Sequence, residues 1–310
     1  MILKIKNIIN NLMLLSFIVA SVFTFILLNG CGEGKVDINE AKFEPKIVIR
    51  GYLYAGKTVD DIRITRNVPL NAAVSEEDIV LQDAVVKLIE LSSGNEYNLV
   101  FDAKNLTYHC INPDFKIAYE KSYRLEVWAG IDGKNLFAYS ETTVPSNGFK
   151  INASNADSIS YREKDSEGNL KKYKINFHPS PNADIYAVSI VAMKHDLSNF
   201  IYDNPYRNPD PSYIMDNMDQ FEEAYSWLQN YKPGTEELNL EIEWMSVWFY
   251  SRYRVIIYAG DKNFKDFFLT QKDVQELDGN FHEPVLHIGG DGIGVFASAD
   301  VDTTYFTVTR

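Results

Sequence analysis

The sequence has 310 residues, with 43 acidic side chains against 30 basic ones and a formal net charge of −13. Proteins bind nucleic acid largely by neutralising phosphates with Lys and Arg, so this balance argues against a nucleic-acid partner. The chain also contains 19 tyrosines and 18 phenylalanines. Aromatic side chains suit the half-buried surface of a β-sheet and also suit binding faces, so composition alone leaves both interpretations open.

Residues 1–30 have the organisation of an export signal, with two lysines ahead of an apolar run over 12–28. The run ends at a sequence that resembles the lipobox of bacterial lipoproteins, with Leu28 three residues before Cys31 and the small Gly30 directly before it. An uncleaved membrane anchor is the alternative, because the run approaches the length that spans a bilayer. The small residue and cysteine at the end of the run favour cleavage.

Cleavage would make Cys31 the first residue of the mature chain and the site of lipid attachment. Palmitate is expected among the attached acyl chains. We therefore expect a Gram-negative outer-membrane lipoprotein, held on the membrane by several acyl chains. The sequence leaves open whether it faces the periplasm or the cell surface. Residues 31–44 are polar and lack an apolar period, which predicts a flexible tether. Cys110 is the only other cysteine, so no intrachain disulfide is expected, and its alternating context favours a buried strand thiol.

Residues 45–146 alternate between apolar and polar side chains in short runs separated by turn residues. Seven strands at this spacing predict a β-sandwich of immunoglobulin-like or transthyretin-like kind. The predicted strands cover residues 46–54, 61–66, 85–91, 97–101, 106–111, 123–128 and 136–145.

The run Pro145-Ser146-Asn147-Gly148 predicts a domain boundary, because these residues punctuate a chain strongly. Residues 150–310 return to strand patterns and predict a second, fibronectin-like β-sandwich. A helical insertion rich in aromatic residues is expected over about 197–232. Within it, residues 219–228 have helical spacing, with Phe221, Tyr225 and Leu228 on one face. A second short helix is expected over 261–269, with Phe264, Phe267 and Phe268 facing inward. The chain is expected to close with strands over 295–299 and 305–309.

Each stretch that could carry chemistry has a structural explanation. His282 and His287 are five residues apart with a proline between them, whereas a helical zinc motif needs a spacing of four. The glycines over 289–294 precede a β-like segment, so they predict a tight turn and not a phosphate loop. Asp300 and Asp302 suit a solvated strand edge. We therefore expect a protein that is not an enzyme and that uses neither a metal nor a cofactor.

The chain resembles an uncharacterised family of Bacteroidota envelope lipoproteins that carry a domain of unknown function. Three sets of strand and turn motifs carry the likeness. The first comprises residues 47–53 and 62–69, the second comprises 84–88, 123–127 and 142–145, and the third is 290–299. Members are often encoded beside TonB-dependent receptors. The resemblance therefore implies an accessory role, with such a receptor as partner, and it supplies no catalytic residues.

The leading hypothesis is an outer-membrane-anchored binding or accessory module for a TonB-dependent receptor or another envelope partner. One alternative is an exported hydrolase that acts on glycan or peptide through a carboxylate pair. A second is a structural or adhesive surface module. If a ligand or partner site exists, we expect it among the insertion's aromatic residues, which alternatively cover the core: Phe200, Tyr202, Tyr206, Tyr213, Trp227 and Tyr231.

Overall fold

The computed structural model describes residues 43–69, 72–205, 209–228, 234–271 and 284–310. Its strands are β1 (Ile47–Tyr54), β2 (Ile62–Arg66), β3 (Val85–Glu90), β4 (Asn95–Asp102), β5 (Thr107–Cys110), β6 (Ser122–Ile131), β7 (Lys134–Thr143), β8 (Lys150–Ser154), β9 (Ser158–Ser160), β10 (Tyr173–His178), β11 (Ile185–Ala192), β12 (Glu223–Leu228), β13 (Leu238–Ile242), β14 (Arg252–Gly260), β15 (Gly289–Gly290) and β16 (Gly292–Thr309). Its α-helices are α1 (Glu76–Ile79), α2 (Pro211–Asp216), α3 (Asp219–Glu222) and α4 (Lys262–Thr270), and Trp244–Ser246 forms a 3-10 helix.

The strands form where side chains alternate along the chain. In β1, Ile47, Ile49 and Leu53 are buried, while Tyr52 and Tyr54 project to the opposite face and are half-buried. This alternation is the period of a pleated strand with one face on a core. The seven strands predicted for the first half are confirmed as β1 to β7.

One mixed sheet of 13 strands contains most of the chain. The strands follow the order β12-β11-β14-β16-β1-β2-β5-β4-β3-β6-β7-β15, with β9 also paired to β16. A smaller sheet has the order β13-β10-β8. The prediction of a mainly β protein is therefore confirmed.

The long strand β16 joins the two halves of the chain. It pairs in parallel with β1 and antiparallel with β14. Phe296 lies in the core of the first half, whereas Phe306 and Val308 lie in the core of the second. The strand structure expected over 295–299 and 305–309 is confirmed, but the two ranges belong to one continuous strand, because backbone pairing continues between them.

Residues Pro45–Arg310 form one compact unit. The expected immunoglobulin-like pair of domains is not confirmed, because strands from both halves share one sheet. The division into 45–146 and 150–310 stays a prediction. At the expected boundary, Ser146 donates from its side chain to Glu120 (2.8 Å) and from its backbone to Asn182 (2.5 Å), so polar contacts hold it to both halves.

Glycine is required at the bend between β15 and β16 and again near the start of β16. Gly290 and Gly294 have φ values of +74° and +112°. A Cβ atom at these positions would lie 2.3 Å from the Phe137 carbonyl oxygen and 2.0 Å from that of Ile49. The predicted tight glycine turn is thus confirmed. Between these glycines, the Asp291 backbone bonds to Phe137 of β7 and Ile47 of β1.

The expected helix over 219–228 is only partly present. Helix α3 ends at Glu222, and residues 223–228 form β12, which pairs antiparallel with β11. The alternation of Ala224, Tyr225, Ser226 and Trp227 suits this strand, and pairing with β11 outweighs the helical spacing of three apolar residues.

None of the helices in the described ranges has the length and hydropathy that crossing a bilayer requires. Residues 1–42, with the predicted signal, Leu28, Gly30 and Cys31, lie outside the described residues.

Candidate functional site

A cleft of about 490 Å³ opens on the face of the large sheet that α4 partly covers. Seven of its lining side chains are aromatic, and they come from four separate elements. They are Tyr52, Tyr54, Tyr225, Trp227, Tyr258, Phe264 and Phe268. Ala187, Val188, Ser189, Glu223, Leu269 and Gln271 complete the described lining.

The sheet register places the strand side chains of the cleft on one face. Ala187 of β11 lies between Trp227 of β12 and Tyr258 of β14. Tyr54 of β1 pairs with Ala299 of β16. The small Ala187 and Ser189 side chains of β11 leave space between the rings of β12 and β14, and this space is the floor of the cleft.

Helix α4 forms the opposite wall. Asp261 begins the helix as its N-cap and accepts a hydrogen bond from the Phe264 backbone at 3.0 Å. Asn263 fixes the first turn to the sheet by donating to the carbonyl oxygens of Glu141 (2.6 Å) and Phe296 (2.9 Å). A Cβ at Gly260 would lie 2.8 Å from the Phe264 ring, so this glycine allows the helix to lie close to β14.

The rings form a continuous series along the cleft. Trp227 meets Phe268 edge-on, with centroids 6.0 Å apart. Phe268 and Phe264 are 6.3 Å apart, and Phe264 and Tyr258 are 5.9 Å apart. Tyr258 continues the series to Tyr54 at 6.2 Å. Aromatic pairs at these separations are mutually attractive, so the rings hold one another in place.

The tyrosines of the cleft keep their hydroxyl protons. Burial raises the pKa of Tyr52 to about 12, against a smaller lowering by the Arg50 charge. Burial and the adjacent Glu223 raise the pKa of Tyr225 to about 12. The pKa values of Tyr54 and Tyr258 are raised as well, with burial as the main cause. These phenols therefore offer neutral O–H donors at neutral pH.

Glu223 is the one charged side chain in the described lining of the cleft. Ser189 Oγ donates to its Oε1 at 2.5 Å. Among the described residues it forms no ion pair with Lys, Arg or His. A smaller recess of about 240 Å³ on the other side of Tyr52 and Phe264 includes Arg50.

The predicted binding residues that the structure describes do not come together in one site. Phe200 is 3% exposed and packs against Phe221, Trp248 and Phe249, so the prediction of a binding role conflicts with its position in the core. Tyr202 is 42% exposed and donates to the Leu197 carbonyl oxygen.

Tyr213 is exposed and its hydroxyl bonds to Gln220 at 3.1 Å. Of the four predicted residues that the structure describes, Trp227 alone lines the cleft, where it is 41% exposed. Tyr206 and Tyr231 lie outside the described residues.

The sequence patterns did not identify most of the residues that line the cleft. Tyr52 and Tyr54 gave a local signal, because two tyrosines at a spacing of two occupy the outward face of a strand whose other face is apolar. Phe264 and Phe268 lie on a helix that was predicted correctly, but all of its aromatic side chains were expected to point into a core. Nothing local connects these residues with Tyr258.

The other residues considered as candidates for chemistry are described only in part. His287 Nε2 contacts Asp266 Oδ2 at 2.8 Å, while His282 lies outside the described residues. Cys110 is a half-buried free thiol. Within the described ranges, no three His, Cys, Asp or Glu side chains are grouped so that they could hold a metal ion.

Comparison with known families matches residues 33–304 to a domain of unknown function, DUF4249. The chain belongs to this family. The expected domain of unknown function is confirmed, and the match covers almost the whole of the described structure. No functionally curated protein matches the sequence.

Similar solved structures are distant. A 1.5-MDa bacterial ice-binding adhesin is 11% identical with a TM-score of 0.23, and the alignment covers 86% of this chain and 65% of that one. A DUF4785 family protein from Legionella pneumophila is 10% identical with a TM-score of 0.25, covering 68% and 52%. An alpha-2-macroglobulin from Escherichia coli is 12% identical with a TM-score of 0.21, covering 70% and 14%. The chain thus spans less than two thirds of each protein, and TM-scores this low do not establish a shared fold.

Proposed function

We propose that this protein is a lipid-anchored binding protein of the bacterial envelope and that the aromatic cleft is its ligand site. The observation that carries the proposal is the cleft itself, with seven aromatic side chains around about 490 Å³. Ligand sites are concave, mostly apolar and roughly 300–1,000 Å³ in volume, with a few placed polar groups. The tyrosine hydroxyls, Ser189 and Glu223 are such groups.

The proposed anchor is Cys31, acylated after cleavage behind Gly30. The apolar run and the lipobox-like sequence support it, and the family match begins only two residues later, at residue 33. The family resemblance supports the outer membrane of a Gram-negative cell as the location. It also supports a TonB-dependent receptor as the partner that the protein assists.

We also propose that the chain comprises two β-sandwich domains in series, an immunoglobulin- or transthyretin-like one followed by a fibronectin-like one. Separate hydrophobic cores in the two halves support this division.

The proposed role is binding without catalysis. Glycoside hydrolysis usually needs two carboxyl groups on either side of the scissile bond. The described lining of the cleft supplies one, Glu223.

The anchor is tested by replacing Cys31 with Ser in cells supplied with labelled palmitate. We expect the wild-type chain to incorporate label and to fractionate with the outer membrane. The Cys31→Ser chain should do neither, whereas Cys110→Ser should behave as the wild type. Label in Cys31→Ser at the wild-type level would overturn the anchor.

The cleft is tested by comparing Trp227→Ala with Trp128→Ala. Trp128 is a matched control, because it is 37% exposed and lies on β6, outside the cleft. Each protein is purified from native membranes, and its bound small molecules are quantified by native mass spectrometry. We expect Trp227→Ala to lose the species that the wild type and Trp128→Ala retain. If both variants retained the bound small molecules equally, the cleft would not be the ligand site.

A further inference from the structure

The charge distribution of the cleft restricts the chemistry of its ligand. Among the described residues that line it, Glu223 is the only one with a charged side chain, and none is Lys, Arg or His. An anionic ligand would therefore meet a carboxylate and the negative faces of aromatic rings, with no counter-charge in the lining.

Glu223 is held in position, and none of the residues that the structure describes neutralises it with an ion pair. Its Oε1 accepts the Ser189 hydrogen bond at 2.5 Å, which directs the carboxylate along the strand face. Arg254 is the basic residue in the same row of the sheet, because both residues pair with Val191. Two strand spacings separate their backbones by about 10 Å, and the Arg254 side chain does not line the cleft. Arg50 borders the separate recess beyond Tyr52.

A ligand that fills the cleft displaces water from this carboxylate. Burying a charge without a partner is costly, whereas an opposite charge on the ligand offsets that cost. The surrounding rings add to the preference, because the faces of Trp and Tyr attract ammonium and guanidinium groups, most strongly where water is excluded. Glu223 contributes, after burial, to the raised pKa values of Tyr225 and Tyr258, while Arg254 lowers the pKa of Tyr258 by a smaller amount.

We propose that the ligand of the cleft presents a cationic ammonium or guanidinium group, carried on an apolar body, to Glu223 and the adjacent rings. The inference rests on the proposed function, since it names the class of ligand for the same cleft. The apolar body would lie along the ring series from Trp227 to Tyr54.

Three probes of similar size and different charge test this inference. They are 2-phenylethylammonium, 2-phenylethanol and phenylacetate, titrated at neutral pH into the wild-type protein and followed by calorimetry. We expect the ammonium to bind about tenfold more tightly than the alcohol, and phenylacetate to bind more weakly than either.

Glu223→Gln isolates the carboxylate, because the glutamine carbonyl can still accept the Ser189 hydrogen bond. We expect this variant to lose about tenfold in affinity for the ammonium and to keep the affinity for the alcohol. Glu222→Gln is the matched control. It makes the same change one residue earlier, at a side chain that lies 3.5 Å from His195 and does not line the cleft. Circular dichroism is used to check that both variants are folded.

The outcomes separate the two proposals. Equal binding of all three probes, or an unchanged ammonium affinity in Glu223→Gln, overturns the cationic ligand and leaves the cleft as a binding site. Binding of none of the three probes counts against the cleft itself and therefore against the proposed function.

Discussion

Asp261 connects three elements at a buried position and positions the cleft-forming helix. Thr142 Oγ1 of β7 donates to its Oδ2 at 2.5 Å, while the backbones of Phe264 and Ser298 donate to its Oδ1. Burial nevertheless raises its pKa above the ordinary value of 3.8, because desolvation outweighs these hydrogen bonds. A carboxyl group with a raised native-state pKa contributes stability at low pH, and this contribution is lost as the pH rises through the native-state pKa.

The Asp261→Asn variant tests the predicted direction of this pH dependence of stability. Asparagine resembles the protonated acid, since its carbonyl can accept from both backbones while its amide donates to Thr142. We expect the variant to gain stability relative to the wild type as the pH rises from about 4 to about 8. Urea unfolding across this range measures the difference, and a difference that does not change with pH would contradict the raised pKa.

Strand β12 brings Tyr225 and Trp227 to the cleft, and its pairing decides where they point. Tyr225 lies opposite Ser189, and Trp227 lies opposite Ala187. A helix through the same residues would place these two side chains about 200° apart around its axis, so they could not share one wall. The cleft therefore depends on this segment being a strand.

Paired cysteines test the register of β12. Val188 and Ser226 are direct cross-strand neighbours, at a separation that a disulfide can bridge. We expect Val188→Cys with Ser226→Cys to form a disulfide under mild oxidation, in a background where Cys31 and Cys110 are serine. The diagonal pair Val188→Cys with Ala224→Cys should form it poorly, because diagonal Cα atoms are roughly 7–8 Å apart. Mass spectrometry gives the yield, and equal yields would contradict the register.

Elements set by local patterns could be predicted from the sequence. The strands of the first half follow a period of two, and α4 follows an Asp N-cap with aromatic residues at helical spacing. The pattern misled at β12, because Phe221, Tyr225 and Leu228 fit a helix while the intervening residues also fit a strand. Burial of Phe221 against Phe200 and pairing with β11 decide between the two, and both contacts are remote in sequence.

At the scale of the whole molecule, β16 makes the two cores depend on each other. Its first part fills one core through Phe296 and its last part fills the other through Phe306. Because one continuous strand carries both side chains, disturbing either core should weaken the common sheet. We expect the two halves to unfold together.

Phe296→Ala and Phe306→Ala test this coupling. Each removes a buried phenylalanine, at an expected cost of about 3–5 kcal/mol in the free energy of unfolding. In both variants we expect one cooperative transition, shifted to lower temperature, in the near- and far-ultraviolet circular dichroism. A transition that splits in two, with only the mutated half melting early, would contradict the coupling.

The cleft itself could be predicted only in fragments. Trp227 stood out as an aromatic residue in a polar region, and Tyr52 and Tyr54 stood on the outward face of a strand. Their meeting requires the parallel pairing of β1 with β16 and the position of β14 beside it. The partners in β1 and β16, such as Ile47 and Gly292, are 245 positions apart, and those in β14 and β16 are 39 to 55 apart, so no local pattern reports these contacts.

The central claim is that this protein binds its ligand in the aromatic cleft, and the indole N–H signals of its four tryptophans report on it directly. Trp227 lines the cleft, Trp128 is exposed elsewhere, and Trp244 and Trp248 pack in or against the core of the second half. We predict that a small-molecule extract of the native envelope shifts the indole N–H signal of Trp227 and leaves the other three tryptophan signals in place. Dialysis should reverse the shift. A spectrum in which Trp128 moves and Trp227 does not would contradict the assignment of the cleft as the binding site.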